Sequence, residues 1–350
     1  MSPSRPLPSG RAAFQASRLA GWPLVIALAT AAPGASRALA SAPDSALAAP
    51  PGAAAPATPV VPAPRLAGYL QARESWQERA GLTALLNRVR FSIDGSLPSR
   101  FSYRLLTEWQ ASAGARSPAT VGLREAVVRW APAPFTLTAG EFKTPFTREY
   151  LVPVPDLELA DLAVAIDSLA PKYDVGVMAE LAMGASASLA VGVFNGEGAN
   201  TTANRDSAVL VVGRVTARPL PQLALGASAA RDSPDSLRWG VDASAQHRGA
   251  VVRAEYLTRH RRGRERAKDD FGWYLLESFR VTPRVQAVAR QEDFQRPERG
   301  VSRRVRGLAW GANVDLVPGR VRLLLELARR VSGARQARAD TFLAQVQARF

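Results

Sequence analysis

The last ten residues of the chain, TFLAQVQARF at positions 341–350, alternate in polarity from one residue to the next. Apolar side chains occupy the even positions, and Gln345, Gln347 and Arg349 occupy odd ones. Successive side chains of a β-strand point to opposite faces, so this stretch has one apolar and one polar face. Over about ten residues, that pattern is typical of a strand with one face toward lipid and the other toward water. The terminal Phe350 is also typical of chains assembled into an outer membrane.

The same alternation continues through the chain from residue 66 onward. In the second strand, for example, Val89 and Phe91 oppose Arg88 and Arg90. Frequent Pro and Gly leave room for strands of about ten residues but not for long helices. The fold class predicted is all-β, a transmembrane antiparallel β-barrel of about sixteen strands. We place the strands at residues 66–76, 84–95, 99–111, 120–131, 134–143, 172–182, 187–194, 207–218, 223–231, 237–247, 251–260, 271–281, 285–294, 304–315, 321–333 and 339–350.

The links between these strands alternate in length. After every even-numbered strand the link is short and holds turn residues, such as Pro98, Pro132 and the pair at 318–319. After odd-numbered strands the links are longer on average, including residues 195–206 and 261–270. Short turns at one end and longer loops at the other are typical of outer-membrane barrels. The alternative is a half-buried sheet in a periplasmic sandwich, which alternates in the same way but does not explain the link lengths.

The composition excludes several classes of site. The 350 residues include 45 Lys and Arg against 30 Asp and Glu, a net charge of +15, and only Lys143, Lys172 and Lys268 are lysine. The absence of cysteine excludes a disulfide framework, a cysteine zinc site and a thiol nucleophile. His247 and His260 are the two histidines, and no Walker loop, dinucleotide fingerprint, HExxH or GxSxG motif occurs. We therefore expect no cofactor, no metal and no catalytic residues.

The N-terminal region is typical of an exported protein. Three arginines without any acid precede an apolar run at 22–32, and the ALA sequence at 38–40 is a small-residue cleavage pattern. We predict a signal peptide at 1–40, an Ala/Pro-rich linker at 41–64 and the barrel at 65–350. The alternative for the apolar run is an ordinary buried helix. Export argues against the nucleic-acid partner that the positive charge would otherwise suggest.

Residues 140–149, GEFKTPFTRE, resemble the most recognisable motif of the phosphate-selective porin O and P family. The stretches NRVRF at 87–91, DVGV at 174–177 and GVFNG at 192–196 are also similar to that family. These matches span the first half of the mature chain, and beyond residue 196 the likeness is one of pattern. The resemblance implies a sixteen-stranded outer-membrane channel, a homotrimer, and small anions such as phosphate as partners.

The sequence departs from that family in places that bear on specificity. Residues 160–163 read ADLA where the family usually has an acidic residue, an arginine and a serine, and Tyr173 stands where an arginine is common. The barrel is also shorter than is usual in the family. These departures concern phosphate specificity more than the fold.

The link at 144–171 breaks the length pattern. Its 28 residues form the third outer loop, and loops of that size are usually functional or disordered. Because this loop of porins commonly folds into the barrel, we expect it to lie in the lumen and to narrow the pore; the alternative is a surface loop. Its acids exceed its single Arg148 by four, which counts against a purely basic constriction. Those acids are Glu149, Asp156, Glu158, Asp161 and Asp167.

Arginines dominate the predicted polar face. Arginine remains charged and offers five donors, so free arginines along a tube would concentrate anions. The equally weighted alternative is pairing with acids such as Glu108, Glu125, Asp242, Glu255 and Glu326, which would stiffen the wall. The predicted pore-lining residues are Arg88, Arg90, Arg104, Arg129, Lys143, Arg148, Arg214, Arg238, Arg253 and Arg290, and the alternation also projects Arg218, Arg322 and Arg349 onto this face.

These patterns together predict a passive outer-membrane channel that prefers anions, with phosphate or polyphosphate as candidate solutes. The alternatives are a general non-selective porin or, less favoured, a barrel hydrolase that uses His247 on the lipid-facing side. The basic run at 259–268 on an outer loop would contact lipopolysaccharide phosphates, so outer-membrane lipid and lipopolysaccharide are predicted partners.

Cleavage after Ala40 is the first testable expectation. N-terminal sequencing of the protein from an outer-membrane fraction should begin at Ser41, because the signal peptidase recognises the small residues at 38 and 40. Replacing Ala38 and Ala40 with bulky residues should leave the uncut precursor. Recovery of folded protein from the periplasm, without membrane, would contradict the barrel prediction.

Overall fold

The computed structural model describes residues 61–350, apart from residue 79 and the ranges 111–119, 205–206, 234–235, 262–268, 299–300 and 334–336, and residue 202. The predicted signal peptide at 1–40 and nearly all of the predicted linker at 41–64 lie outside the described residues, as does most of the basic run at 259–268.

The described residues form one closed antiparallel β-barrel of sixteen strands. Each strand pairs with its neighbours in chain order, and β1 also pairs with β16, so the sheet has no free edge. All sixteen predicted strands are present, and the predicted fold class is confirmed. The strands are β1 (Arg65–Gln77), β2 (Gly81–Leu97), β3 (Phe101–Gln110), β4 (Thr120–Trp130), β5 (Phe135–Lys143), β6 (Tyr173–Met183), β7 (Ala187–Phe194), β8 (Leu210–Leu220), β9 (Leu223–Ser233), β10 (Ser236–His247), β11 (Ala250–Arg261), β12 (Asp270–Thr282), β13 (Val285–Glu298), β14 (Val301–Val317), β15 (Val321–Ser332) and β16 (Ala337–Arg349).

The predicted two-faced character of the strands is also observed. On β16, Phe342 and Val346 are 43% and 41% exposed, whereas Gln345 and Gln347 are 1% and 2% exposed. On the other strands too, exposed apolar side chains lie outside, and the inner face carries buried polar side chains together with some apolar ones. This inversion of the usual globular pattern is the arrangement that a lipid-facing barrel requires.

The C-terminal residue closes the barrel. The backbone N–H of Phe350 donates to the carbonyl of Gly68, and the N–H of Gly68 donates back to the carbonyl of Phe350, both at 3.0 Å. The Phe350 ring lies 5.6 Å from the ring of Phe91, between ring centres. A β-carbon on Gly68 would lie 2.6 Å from both the Phe350 ring and the carbonyl oxygen of Arg90. Only glycine at this position therefore lets the terminal ring cover the seam.

Residues 144–171, which connect β5 to β6 and are called segment 144–171 below, contain three short helical turns. They are α1 (Arg148–Leu151), a 3-10 turn (Val154–Asp156) and α2 (Val164–Leu169). The sequence predicts only a loop here, because helices of four to six residues are too short to produce a periodic signal. No helix among the described residues is long and apolar enough to cross a membrane.

Segment 144–171 packs against side chains of β11, β12 and β13. Phe146 and Ile166, both 0% exposed, join inner-face side chains such as Tyr274 and Val288 in one apolar cluster. Helix α2 contacts β11, β12 and β13. Its close approach depends on Gly272, where a β-carbon would lie 2.6 Å from the β-carbon of Ala165. A larger residue at position 272 would therefore force α2 away from the wall.

Deletion of Phe350 should impair assembly of the barrel. It removes two backbone hydrogen bonds across the β1–β16 seam, worth on the order of 2 kcal/mol, together with the ring contact to Phe91. The folded fraction, measured as the heat-modifiable band in unheated SDS gels, should fall. Phe342→Ala, a change on the outer face of the same strand, is the control and should have the smaller effect. Equal folded yields for both variants would show that the seam does not depend on the terminal residue.

Candidate functional site

The two ends of segment 144–171 are tied together at the wall. The backbone N–H of Thr144 donates to the carbonyl of Lys172 at 3.1 Å, and its hydroxyl donates to the carbonyl of Pro171 at 2.7 Å. Thr144 is 0% exposed. The segment therefore leaves and re-enters the wall at one point, and its whole length is available to contact the inner face.

Three inner-face glutamates hold the backbone of the segment. Glu255 on β11 accepts hydrogen bonds from the backbone N–H groups of Arg148 at 2.9 Å and Glu149 at 2.5 Å. Glu292 on β13 accepts from the N–H of Val164 at 3.0 Å, and Glu326 on β15 accepts from the N–H of Ala160 at 3.0 Å. Hydrogen bonds to a charged acceptor are roughly twice as strong as neutral ones. These carboxylates therefore anchor the segment at three separated points of its length.

The acids of the segment are each paired with a basic side chain. Asp161 lies 3.1 Å from Arg73, Asp156 lies 2.7 Å from Arg349, and Asp167 lies 2.7 Å from Lys172. Glu149 lies 3.3 Å from Arg290, and Glu158 pairs with Arg253. The surplus of acids predicted to oppose a basic constriction is thus neutralised by arginines of β1, β11, β13 and β16 and by one lysine.

The pair between Glu149 and Arg290 is the most buried of these. Arg290 is 1% exposed and also donates to the carbonyl of Asp161 at 2.8 Å. Burial raises the pKa of Glu149, while Arg290 and the N–H of Ala163, which donates to its carboxylate at 2.9 Å, act to lower it. A buried carboxylate is tolerated here because it is both paired and hydrogen-bonded.

A cavity of about 540 Å³ lies between segment 144–171 and the opposite wall. Strands β2, β3, β4, β5 and β6 form that wall, and Arg238 and Arg259 lie at the outer end of the cavity. Seven basic and five acidic side chains line it. The segment contributes mainly apolar side chains to the lining, among them Val152, Val154 and Leu157.

Three arginines on the cavity wall share one carboxylate. Glu108 on β3 is 2.5 Å from Arg90, 2.7 Å from Arg124 and 3.7 Å from Arg88. One carboxylate neutralises one of these charges, so the group keeps an excess of two positive charges. We call Arg88, Arg90, Arg124 and Glu108 the arginine cluster.

Arg90 is the structural member of the arginine cluster, whereas Arg88 and Arg124 face the cavity. The side chain of Arg90 is 8% exposed and lies over the ring of Tyr69. The side chains of Arg88 and Arg124 are 27% and 26% exposed. These two guanidinium groups therefore remain available to a solute.

Arg124 was not among the predicted pore-lining residues. Strand β4 carries a β-bulge at this position, because Leu106 pairs with Glu125 while Thr107 pairs with Leu123, which leaves Arg124 without an opposite residue. A bulge shifts the alternation by one residue, so a projection with a period of two places Arg124 on the wrong face. A bulge of this kind has no clear signal in the sequence around it.

Lys143 lines the cavity, but its hydrogen bonds are made to segment 144–171. Its Nζ donates to the carbonyls of Tyr150 at 2.5 Å and Val152 at 3.1 Å. It also lies 5.0 Å above the ring of Tyr150 and 5.9 Å from that of Tyr173. The ammonium group thus caps the first turn of the segment and borders the cavity at the same time.

The other predicted pore-lining residues fall into four groups. Arg238 lines the outer end of the cavity and pairs with Asp232, whereas Arg253 and Arg290 lie between the wall and segment 144–171. Arg104 and Arg214 form wall pairs, Arg104 with Asp94 and Glu125, Arg214 with Asp242. Arg129 and Arg148 are half-buried with no carboxylate partner among the described residues. Of the further projected arginines, Arg322 pairs with Asp315, Arg349 pairs with Asp156, and Arg218 is exposed.

Other kinds of site find no support in the described part of the chain. His247 is exposed, and His260 contacts Asp269 at 2.6 Å, with no hydrogen bond from either ring to a serine hydroxyl among the described residues. No group of three potential metal ligands occurs among the described residues. The cavity with its arginine cluster is therefore the candidate functional site.

Residues 74–231 match the family model described as phosphate-selective porin O and P. The match runs from β1 to β9 and includes the motif at 140–149, so the resemblance stated above is confirmed. No curated protein sequence matches the chain.

Several solved structures share the fold at low identity. The outer membrane channel DcaP of Acinetobacter baumannii has a TM-score of 0.66 and 10% identity, over 82% of this chain and 97% of that one. An anion-selective porin from Comamonas acidovorans has a TM-score of 0.62 and 12% identity, over 82% and 99%. The trimer form of OmpT from Vibrio cholerae has a TM-score of 0.61 and 12% identity, also over 82% and 99%. With the family match, this likeness in fold supports an outer-membrane channel.

Removing the carboxylate of Glu255 should loosen segment 144–171. The change Glu255→Leu leaves the N–H groups of Arg148 and Glu149 without their acceptor, at a cost of about 1–3 kcal/mol. Single-channel recordings should show a higher and noisier conductance. Glu180→Leu is the control, since it removes the same charge from the wall but Glu180 has no hydrogen bond to the segment in the described structure. If both variants keep the conductance of the unmodified protein, Glu255 does not anchor the segment.

Proposed function

We propose that this chain is a passive outer-membrane channel that carries out no chemistry and admits anions in preference to cations. The observation that supports the proposal is that uncompensated positive charge lies on one side of the cavity. The arginine cluster keeps two uncompensated positive charges on one wall, while the acids of segment 144–171 are paired with basic side chains on the other side. Small anions, with phosphate or polyphosphate as candidates, are the proposed solutes.

The expected preference is moderate, because most charges of the inner face are paired. An ion pair acts on a distant solute only as a dipole, whereas an uncompensated charge acts over the screening length of about 8 to 10 Å at ordinary salt. The uncompensated charges of Arg88 and Arg124 lie on the cavity itself. They would raise the local anion concentration without holding an anion tightly enough to stop its passage.

Segment 144–171 is proposed to lie in the lumen and to set the width of the pore. Supporting this, its residues bond to inner-face side chains of β1, β11, β13, β14, β15 and β16, which together make up a large part of the circumference. Its apolar side chains pack on the inner face of β12 as well. A segment held on that many strands would fill part of the tube and leave the passage on the side of the arginine cluster.

Export, assembly and lipid contacts complete the proposal. A signal peptide at 1–40 and a linker at 41–64 would deliver the barrel, residues 65–350, to the outer membrane. The trimer form of the Vibrio cholerae OmpT barrel supports a homotrimer here. Outer-membrane lipid and lipopolysaccharide are the proposed surroundings of the apolar outer face.

A general, non-selective porin is the second candidate. It is favoured by the number of inner-face arginines that are paired, such as Arg104, Arg214 and Arg322. A wall of neutral pairs would discriminate weakly between ions of opposite sign. The two candidates differ in whether the arginine cluster alone produces a measurable preference for anions over cations.

The reversal potential across a salt gradient tests the proposal. The double variant Arg88→Gln with Arg124→Gln leaves Arg90 and Glu108 as a balanced pair, so the wall should remain folded. Loss of two charges should lower the ratio of anion to cation permeability by about two- to fivefold, corresponding to roughly 0.5–1 kcal/mol.

Arg306→Gln is the matched control for that variant. It removes a positive charge from the outer face of β14, where Arg306 is exposed, and should leave the reversal potential unchanged. A cation-selective potential for the unmodified channel would refute the proposal. An unchanged ratio in the double variant would favour the general porin, and a comparison of phosphate with chloride would show which anion passes more readily.

A further inference from the structure

The two sides of the cavity differ in chemistry. On one side lie the guanidinium groups of Arg88 and Arg124, and on the other lie apolar side chains of segment 144–171. Val152, Val154 and Leu157 are each half-buried and line the cavity. A solute in this space would touch charged donors on one side and aliphatic carbon on the other.

The apolar side of the cavity is not explained by the anchoring of the segment. The segment is held by the carboxylates of Glu255, Glu292 and Glu326, which bond its backbone. Its apolar packing uses other residues, such as Phe146 and Ile166, and the buried cluster does not include Val154 or Leu157. Val152, Val154 and Leu157 therefore face a polar passage, where contact with water is unfavourable.

Two tyrosine rings beside the arginine cluster border the cavity, although both are largely buried and Lys143 lies over them. Tyr150 of the segment and Tyr173 of β6 both line the cavity, with ring centres 6.1 Å apart. Arg124 lies 5.9 Å from the ring of Tyr173. A flat apolar group placed next to these rings would lie within reach of the guanidinium that binds its charge.

Inorganic phosphate would leave the apolar side chains of the cavity without a partner. Its oxygens accept hydrogen bonds in all directions, and the side chains of Val152, Val154 and Leu157 offer it no donor. A carboxylate needs donors at one end only, and the planar guanidinium fork matches its two oxygens. The volume of about 540 Å³ falls within the usual range of 300–1,000 Å³ for sites of small organic molecules.

We propose that the cavity preferentially binds organic anions that combine a carboxylate with an apolar body, such as aromatic or branched-chain carboxylates, over inorganic phosphate. This proposal rests on the proposed anion-preferring channel and names the solute class of the same site. The carboxylate lies against Arg88 and Arg124, and the apolar body lies against Val154 and Leu157.

Block of the single-channel current provides the test. Benzoate, acetate and inorganic phosphate are each added to the purified full-length channel in planar bilayers at about 0.15 M KCl, where the screening length is about 8 Å. Benzoate should reduce the chloride current at a concentration about tenfold lower than acetate or phosphate, because it buries its ring against the segment. Phosphate blocking at an equal or lower concentration than benzoate would overturn the proposal.

Two pairs of variants assign the effect to the two sides of the cavity. Val154→Thr, nearly equal in volume, and Leu157→Thr should each weaken the benzoate block about threefold and reduce its advantage over acetate. Arg88→Gln with Arg124→Gln should weaken the block by benzoate and acetate alike. Leu151→Thr is the matched control, since Leu151 is an exposed residue of the same segment that does not line the cavity.

The outcomes separate this proposal from the proposed function. If benzoate keeps its full advantage in both Val154→Thr and Leu157→Thr, the apolar side plays no part and the solute class is wrong. If the unmodified channel is cation-selective in KCl alone, the proposed function fails whatever benzoate does. Heat-modifiable migration of each variant in SDS gels checks that the barrel has formed.

Discussion

Closure of the sheet between β1 and β16 is the constraint on which the rest of the structure depends. In lipid, an unpaired backbone N–H or C=O costs several kcal/mol, and a sheet satisfies all of these groups only when its first and last strands pair. The pairing of Tyr69 with Arg349 and of Gly68 with Phe350 meets that condition here. Once the sheet is closed, alternation turns every second side chain inward, so polar and charged groups are forced into a confined interior.

The charged side chains inside the barrel must then be paired or solvated. An isolated charge in a low-dielectric wall is costly, and pairing reduces the cost only when the geometry and the remaining hydrogen bonds are good. The wall meets this need with pairs such as Arg214 and Asp242 at 2.7 Å, and with carboxylates that accept backbone N–H groups, as Glu255 does. Segment 144–171 is held by interactions of the same kind. Its acids pair with arginines of the wall, and its backbone N–H groups donate to carboxylates of the wall.

The arginine cluster is the exception, because its three positive charges outnumber its single carboxylate. The proposed preference for anions rests on this excess. Three guanidinium groups share Glu108. Their excess positive charge borders the cavity. Repulsion among the three is tolerable because two of them are about one quarter exposed and are therefore solvated. On the proposed function, a cluster that is incompletely neutralised in this way would attract anions, and the apolar side chains opposite it would select among them.

The sequence by itself determined the fold, because strand alternation and link length are local properties. It predicted sixteen strands, the inner position of residues such as Gln345, and the unusual length of segment 144–171. Which arginines are neutralised was left open, because ion pairs join residues far apart in the chain, as Arg290 and Glu149 do. The inward position of Arg124 was also missed, because a single bulge in β4 shifts the alternation. Only the tertiary structure decided these points, since they depend on the register between strands and on the contacts that segment 144–171 makes with them.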